Sequence, residues 1–478
     1  RGSVAASVFR RMRARARERA VGAAAPVDGA TYTASLLELQ QVPRAGEEVG
    51  DPVDLLADAV ALLEGVFLPP EVWEGTVFPD RVPGYRPAML DELLASGDVV
   101  WQGRLAPTAK DGGRRRLAAF WPTDSPFAPL PAPGAGAVPA RPEALDDGED
   151  GPRAQVWDVL AREGAAPFAV VDARCGEAAG GAAAVAETLE ALLWDGICLV
   201  DSFDAARSKA PGRAATPRRR SRSRYRGHAA RRAALALSEA PAVASAAATS
   251  GRWSLACPSD ASDTERACAL VESLLDRYGV ACPATAEAAG VPGGLTQAYP
   301  VLKAMEGAGS LLRGTFVEGL GPLQFAAADT VETLREARDG AEGAEGPVAT
   351  RDLRVLCSAD PGQPLGSLLP WPDGTGHPKR SADSWTVFLG GMPVLWAAPH
   401  LNAVSLFGCE DAWGRAVTAV LEAMEARVRA QGRSWALERV EVRSVNGDAV
   451  REGPLAPVLA GLGFVPTPDG MRFYPQPY

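Results

Sequence analysis

Cysteine, histidine and aromatic residues are scarce in this chain of 478 residues: 7 Cys, 3 His, and 6% Phe, Trp and Tyr together. No two cysteines form a C-x-x-C pair and the histidines are scattered, which excludes the usual structural zinc arrangements. The cysteines read as isolated thiols of a reducing compartment, and no metal is expected. No apolar run approaches the roughly 20 residues that cross a bilayer, so a membrane is not an expected partner. A G-x-x-x-x-G-K-[ST] loop is missing, as is its acidic metal-binding counterpart, so the chain should not hydrolyse ATP itself. No cofactor motif replaces them.

What is present is ordinary in bulk and uneven in detail. The hydrophobic fraction is 47%, enough for cores, and 50 Gly with 40 Pro mark many turns and linkers. Such a length suits about three or four domains. The net charge is −10, yet nine arginines fall between Arg213 and Arg232 with no acid among them. Seven more lie between Arg1 and Arg19 against one acid, Glu18. Local basic clusters on an acidic chain suit a nucleic-acid binder, while solvated linkers also look this way. The first residue is not Met. The Arg-rich, acid-poor start mimics a transit peptide, or is the tail of a helix from an upstream domain, the reading favoured here.

One pattern recurs. LLASGDVVWQG (from Leu93), LLWDGICLVDS (from Leu192) and MEGAGSLLRGTFVEG (from Met305) each join an apolar helix end, a Gly turn and a strand. Three degenerate copies predict tandem winged helices. The expected fold class is α+β, tandem winged-helix domains followed by a small C-terminal barrel-like α+β domain. The expected segments are a basic N-terminal segment at 1–30, winged-helix-like domains at 31–125 and 151–205 with a linker at 126–150, a basic linker at 206–252, a winged helix at 253–335 and the last domain at 351–478. In finer detail, Ser35–Leu63 reads as one helical stretch, Leu295–Gly307 as a recognition helix, 336–350 as a Glu/Gly linker and Leu437–Val445 as a strand.

Three places carry nucleic-acid chemistry. The cluster Arg218, Arg219, Arg220, Arg222, Arg224 and Arg226 offers guanidinium groups to phosphates, and Tyr225 offers a ring for stacking. Gln297 and Lys303 stand at and after the N-terminus of the recognition-helix candidate, with Thr296 as a further donor, while Tyr299 and Leu302 have core spacing. The third place is the wing from Arg313 to Phe325. There Arg313 faces phosphate or a groove, Gln324 is a candidate for a base edge, and Gly314, Gly319 and Gly321 permit close approach. Its plainer reading is a tight hairpin with Phe316 and Phe325 in the core.

These segments resemble the C-terminal region of the large helicase-related family, Lhr. DPVDLLADAVALLEG, VFPDRVPGYRPAMLDELLASGDVVWQG, ALLWDGICLVDSFDAARS and the stretch AAGVPGGLTQAYPVLKAMEGAGSLLRGTFVEGLGPLQFA carry the likeness, with SADPGQPLGSLLPWP and GFVPTPDGMRF near the end. The helicase core is absent from this chain. Where the family pattern places a ring beside the wing arginine and glycine, this chain has Thr315. The resemblance implies DNA, single-stranded or duplex, as partner, a role in repair, removal of uracil by a DNA glycosylase activity, oligomerisation and an upstream helicase core. A glycosylase needs a carboxylate near a flipped base, and Asp469 and Asp448 are the candidates, Asp469 first. The alternative is a non-catalytic protein-interaction or oligomerisation remnant. The compartment would be cytoplasmic (nucleoid) in a bacterium, and an organelle or nucleus in a eukaryote.

Overall fold

Prolines and glycines between Pro43 and Pro52 split the first expected helix in two. The computed structural model describes residues 25–45, 47, 50–108, 113–132, 141–142, 145, 151–207, 250–343, 352–373, 376–431 and 440–474. Its first helices are α1 (Gly29–Leu39) and α2 (Pro52–Leu62), not one helix over Ser35–Leu63. Asp28 caps α1 by accepting from Thr31 N at 2.7 Å, and Asp51 caps α2 by accepting from Val53 N at 2.8 Å. Each cap satisfies an otherwise orphaned amide and is worth about 1 kcal/mol.

After α2, Leu68 forms a one-residue strand bridge. A helical stretch, α3, follows in three segments: Pro70–Val72, a π-helical turn Trp73–Val77, and Phe78–Arg81. Helix α4 (Pro87–Ser96) buries Met89, Leu90, Leu93 and Leu94. Gly97, at φ +83°, leads into the antiparallel hairpin β1 (Val99–Pro107) and β2 (Arg114–Pro122). Leu68 pairs with Ala118 of β2. The first strand thus pairs with the third, and the third with the second, as in a winged helix.

The same order repeats. β3 (Leu130–Pro131) precedes α5 (Pro152–Glu163), β4 (Ala166–Pro167), α6 (Phe168–Cys175), α7 (Ala182–Trp194) and β5 (Cys198–Val200). The short α8 (Asp204–Arg207) follows, and β6 (Arg252–Cys257) pairs with β3, β4 and β5. Trp253 therefore does not open the third repeat. It is buried in the central strand of the second, paired with Ala166 and Val200. A strand separated from its partner by some fifty residues could not be assigned from local pattern.

The third repeat runs α9 (Asp263–Tyr278), β7 (Val280–Ala281), α10 (Pro283–Ala288), α11 (Tyr299–Ala308), β8 (Leu311–Gly314) and β9 (Gln324–Ala327), with sheet order β7-β9-β8. Helix α9 begins with a capping box: Ser262 Oγ accepts from Glu265 N at 3.3 Å, and Ser262 N donates to Glu265 Oε2 at 2.7 Å. Gly279, left-handed at φ +69°, ends it. Helix α12 (Ala328–Gly343) continues through half of the expected Glu/Gly linker. Val331 and Leu334 are buried at helical spacing, and that anchor carries the polar remainder.

The last domain contains β10 (Leu353–Cys357), β11 (Trp385–Leu389), β12 (Met392–Ala397), β13 (Ala403–Leu406), helix α13 (Trp413–Gln431), β14 (Glu441–Val442), β15 (Ser444–Val445), β16 (Asp448–Ala449), helix α14 (Leu455–Gly461), β17 (Phe464–Pro466) and β18 (Met471–Phe473). Six strands form one sheet in the order β10-β11-β12-β13-β15-β16, antiparallel except for β13 against β15. β14-β18-β17 form a second sheet. The single strand expected over Leu437–Val445 is two short ones, broken at Arg443, which feed different sheets.

The described residues form two compact units. One comprises those up to Val66, Val72–Pro87 and Ala261 onward; the other comprises Phe67–Glu71 and Ala88–Asp260. In the first, α1 joins the third repeat: Tyr32, Leu36 and Leu37 share a core with Val271, Leu274, Leu302, Phe316 and Phe325. Tyr32 Oη donates to Tyr278 O at 2.9 Å within it. In the second, Trp101 and Phe120 of the β1–β2 hairpin pack on Phe203, with ring centroids 4.9 and 5.2 Å away, and Trp101 meets Trp194 edge-on. Gly103 lets the hairpin approach α7: a Cβ there would lie 2.8 Å from the Trp194 ring.

Candidate nucleic-acid interface

The third repeat carries a helix-turn-helix surface in its exposed residues. The turn before α11 uses Gly290, Gly293 and Gly294, all at positive φ, and Gly294–Thr296 make a single 3-10 turn. The regular helix starts only at Tyr299, so Thr296 and Gln297 precede it rather than lie in it. Pro300 explains the late start, because proline is accommodated in the first turn of a helix but not further in. Gln297 and Lys303 are exposed, and neither has a hydrogen-bond or ion-pair partner among the described residues. Leu302 is wholly buried and Tyr299 packs edge-on against Phe325 at 6.2 Å, as their core spacing requires.

Arg313 is exposed on β8, the edge strand of its sheet, and is likewise unpartnered among the described residues. Thr315, also exposed, follows it. Gln324 is not a base reader. Its side chain is fully buried, and Oε1 accepts from Phe316 N at 2.8 Å and from Val317 N at 2.9 Å. Its Nε2 donates to Val317 O at 2.8 Å and to Gly321 O at 2.6 Å. A buried amide with all of these bonds made holds the wing loop in shape. Val27 completes the wing from outside: its N donates to Phe316 O, and its O accepts from Glu318 N. Neither role was visible in the sequence, because both depend on pairing across a loop or across hundreds of residues.

The cluster Arg218, Arg219, Arg220, Arg222, Arg224, Tyr225 and Arg226 lies outside the described residues. Its place in the chain is nevertheless changed by the strand pairing. It falls between β5 and β6, the two wing strands of the second repeat, and not between domains. The described ends of that segment are fastened together. Arg252 N donates to Asp201 Oδ1 at 2.6 Å, and Ser250 Oγ bonds Ser202 Oγ at 3.0 Å and Asp204 Oδ2 at 2.8 Å.

Asp469 is exposed in the turn joining β17 to β18, closed by Thr467 N donating to Gly470 O at 2.8 Å. It has no partner among the described residues. Asp448 is exposed on the edge strand β16. A third carboxylate was missed. Glu441, buried on β14, accepts from Arg443 Nη2 and from Thr467 Oγ1, each at 2.9 Å. Arg443, with Thr467, holds its carboxyl below the usual range. It therefore braces the turn that carries Asp469.

All seven cysteines are free. Burial pushes the Cys198 thiol up, and that of Cys357 to about 12, so neither is a ready nucleophile. Among the described residues no group of three or more His, Cys, Asp or Glu is placed to hold a metal ion. No described helix is long and apolar enough to cross a membrane.

Comparison with known proteins bears on this geometry. Two models of the winged-helix domains of the large helicase-related protein match, one over residues 27–120 and the other over residues 260–346. These domains are of the Lhr family. The chain as a whole resembles the C-terminal region of that family. It is 32% identical, over 98% of its length, to the Lhr helicase/uracil glycosylase of Escherichia coli (strain K12). It is 31% identical, over 94% of its length, to the Lhr helicase/probable uracil glycosylase of Mycolicibacterium smegmatis. The chain spans only 30% and 28% of those two curated relatives. The Lhr match over residues 27–120 covers α1 to β2, and that over 260–346 covers α9 to α12.

Proposed function

We propose that this chain is the DNA-binding module of an Lhr-type repair protein, and that it removes uracil from DNA without an ATPase of its own. What carries the reading is the third winged helix, whose Gln297, Lys303 and Arg313 are exposed and without a partner among the described residues, in a chain similar along nearly all its length to two proteins named for uracil glycosylase. Exposed donors without internal partners keep their full capacity for phosphate and base edges.

For the chemistry, Asp469 is the proposed carboxylate. Breaking the bond between C1′ and uracil N1 leaves the electron pair on uracil and a cation on the sugar. A carboxylate beside that cation stabilises it and orients the water that adds to C1′, its proton passing to solvent and uracil taking one up. Because the Asp469 turn is held by Glu441 through Thr467, the carboxylate would be presented at a fixed point.

A second reading has its own support. The helices at the recognition position of the first two repeats, α4 and α7, contain no Lys or Arg, and carry Asp91 and Glu92 or Glu187 and Glu190. Such helices repel phosphate and suit docking to protein, including another copy of this chain. The test is anisotropy with labelled single-stranded and duplex DNA, with and without one uracil, followed by alkali. Salt-sensitive binding with strand breakage only at uracil, abolished by Asp469→Asn, supports the proposal. Binding without breakage removes the glycosylase part. A stable oligomer blind to DNA at low salt selects the second reading.

A further inference from the structure

We propose that the distal half of the β1–β2 hairpin, the wing of the first repeat, is a DNA-backbone clamp that holds phosphates without reading bases. This rests on the reading that the chain binds DNA, and it assigns the contact to a surface outside the third repeat.

The charge pattern of the first repeat is inverted with respect to helix-led recognition. Its recognition-position helix α4 is acidic, while the hairpin that follows carries Arg104, Arg114, Arg115 and Arg116. Successive strand residues face opposite sides. In the observed register Ala106 stands opposite Arg115 and Leu117 opposite Arg104, so these two arginines share one face, while Arg114 and Arg116 share the other. Cations thus line both faces of the same hairpin end.

Three of them are available. Arg114 is exposed and has no partner among the described residues. Arg104 is exposed and its guanidinium lies 3.8 Å over the Phe67 ring, a contact that orients the cation without neutralising it. Arg115 is exposed and 3.5 Å from Glu71, both well solvated, a pairing that screens weakly. Arg116 differs: it bonds Glu190 at 2.5 Å and stacks on Trp194, which ties the hairpin to α7. The base of the hairpin is fixed by Trp101 and Phe120 in the aromatic core, so the three arginines are offered on a rigid support. A preorganised set of guanidinium groups, with no amide or carboxylate side chain among the described residues of that hairpin end, matches phosphate oxygens and not base edges.

The experiment uses the whole chain and a random-sequence duplex, with affinity measured from 50 to 300 mM salt (roughly the range in which such slopes are read). Replacing Arg104, Arg114 and Arg115 together by Gln should lower the slope of log K against log salt by about two to three, at about 0.9 per phosphate contact, equally with and without uracil. The triple Lys replacement should keep the slope. Arg114→Gln alone, which disturbs no hydrogen bond or ion pair among the described residues, should lower it by about one. Glu71→Gln should tighten binding by releasing Arg115, a gain that misfolding does not imitate. Wild-type slopes retained by the Gln triple and by Arg114→Gln would overturn the clamp while leaving DNA binding intact. Absence of wild-type binding at the lowest salt would overturn both readings.

Discussion

Arg81 and Asp360, 279 residues apart, form a buried bidentate ion pair in which Arg81 Nη2 donates to Asp360 Oδ1 at 2.8 Å and Nη1 donates to Oδ2. The neighbouring Asp80 accepts from Cys357 N and from Arg427 Nη2, each at 2.8 Å, and Arg427 lies 3.7 Å over the Trp385 ring. Gln40 Oε1 accepts from Arg81 Nη2 at 3.1 Å. Helix α3 is thereby joined to β10 and α13 through buried charges.

Removing one partner of that pair should be costly. Asp360→Asn leaves the Arg81 guanidinium buried without its counter-charge, which is expected to destabilise the fold by about 3–5 kcal/mol. Urea denaturation checks this. Replacing Arg81 and Asp360 together by Met and Leu should cost much less than either single change, since a buried pair is often replaceable by apolar groups.

Adjacent residues of α11 should separate stability from binding. Leu302→Ala opens a cavity in the core and is expected to cost about 2–5 kcal/mol. Lys303→Ala should leave stability within about 0.5 kcal/mol and lower the salt slope of DNA binding by about one. Thermal melts and anisotropy on the same two variants decide it.

The wing of the third repeat depends on Gln324. Its truncation to Ala strands the amides of Phe316 and Val317 in a buried site, at about 1–3 kcal/mol for each group left unsatisfied. Hydrogen exchange at Phe316 and Val317 should accelerate in Gln324→Ala. Unchanged protection there would show that the loop does not need the amide.

Glu441 sets a pH dependence. Its carboxyl is held below the usual range by Arg443 and Thr467, so its contribution to stability is fully present above about pH 4.3, the unfolded value, and is lost as pH falls through the lower folded value. Glu441→Gln should therefore lower Tm most near neutrality, and the difference from wild type should shrink under acid conditions. Asp80 has the opposite sign: burial raises its carboxyl, despite Arg427, so stability falls as pH rises through its titration.

The recurring helix, Gly turn and strand were legible in the sequence because local rules govern each part: apolar spacing at Leu93 and Leu94 or Leu192 and Leu193, and left-handed glycines at Gly97, Gly196 and Gly309. The ends of α9 obey equally local rules, with Ser262 and Glu265 capping its start and Gly279 its end. Gln297, Lys303 and Arg313 were named from the order of helix, turn and wing, and the fold leaves all three exposed.

Tertiary structure alone decided the rest, because it depends on pairing between distant segments. Trp253 reads equally well as the start of a repeat or the end of one, and only its pairing with Val200 places it in the second sheet, with the Arg218–Arg226 segment between its wing strands. Gln324 looks like any wing amide until its four bonds are made inside the loop. Arg81 and Asp360 look like surface charges, and are buried only because α3 and the loop after β10 meet. Local propensity acts over a few residues at a few tenths of a kcal/mol each, whereas register and burial are settled by contacts whose partners the chain brings together only on folding.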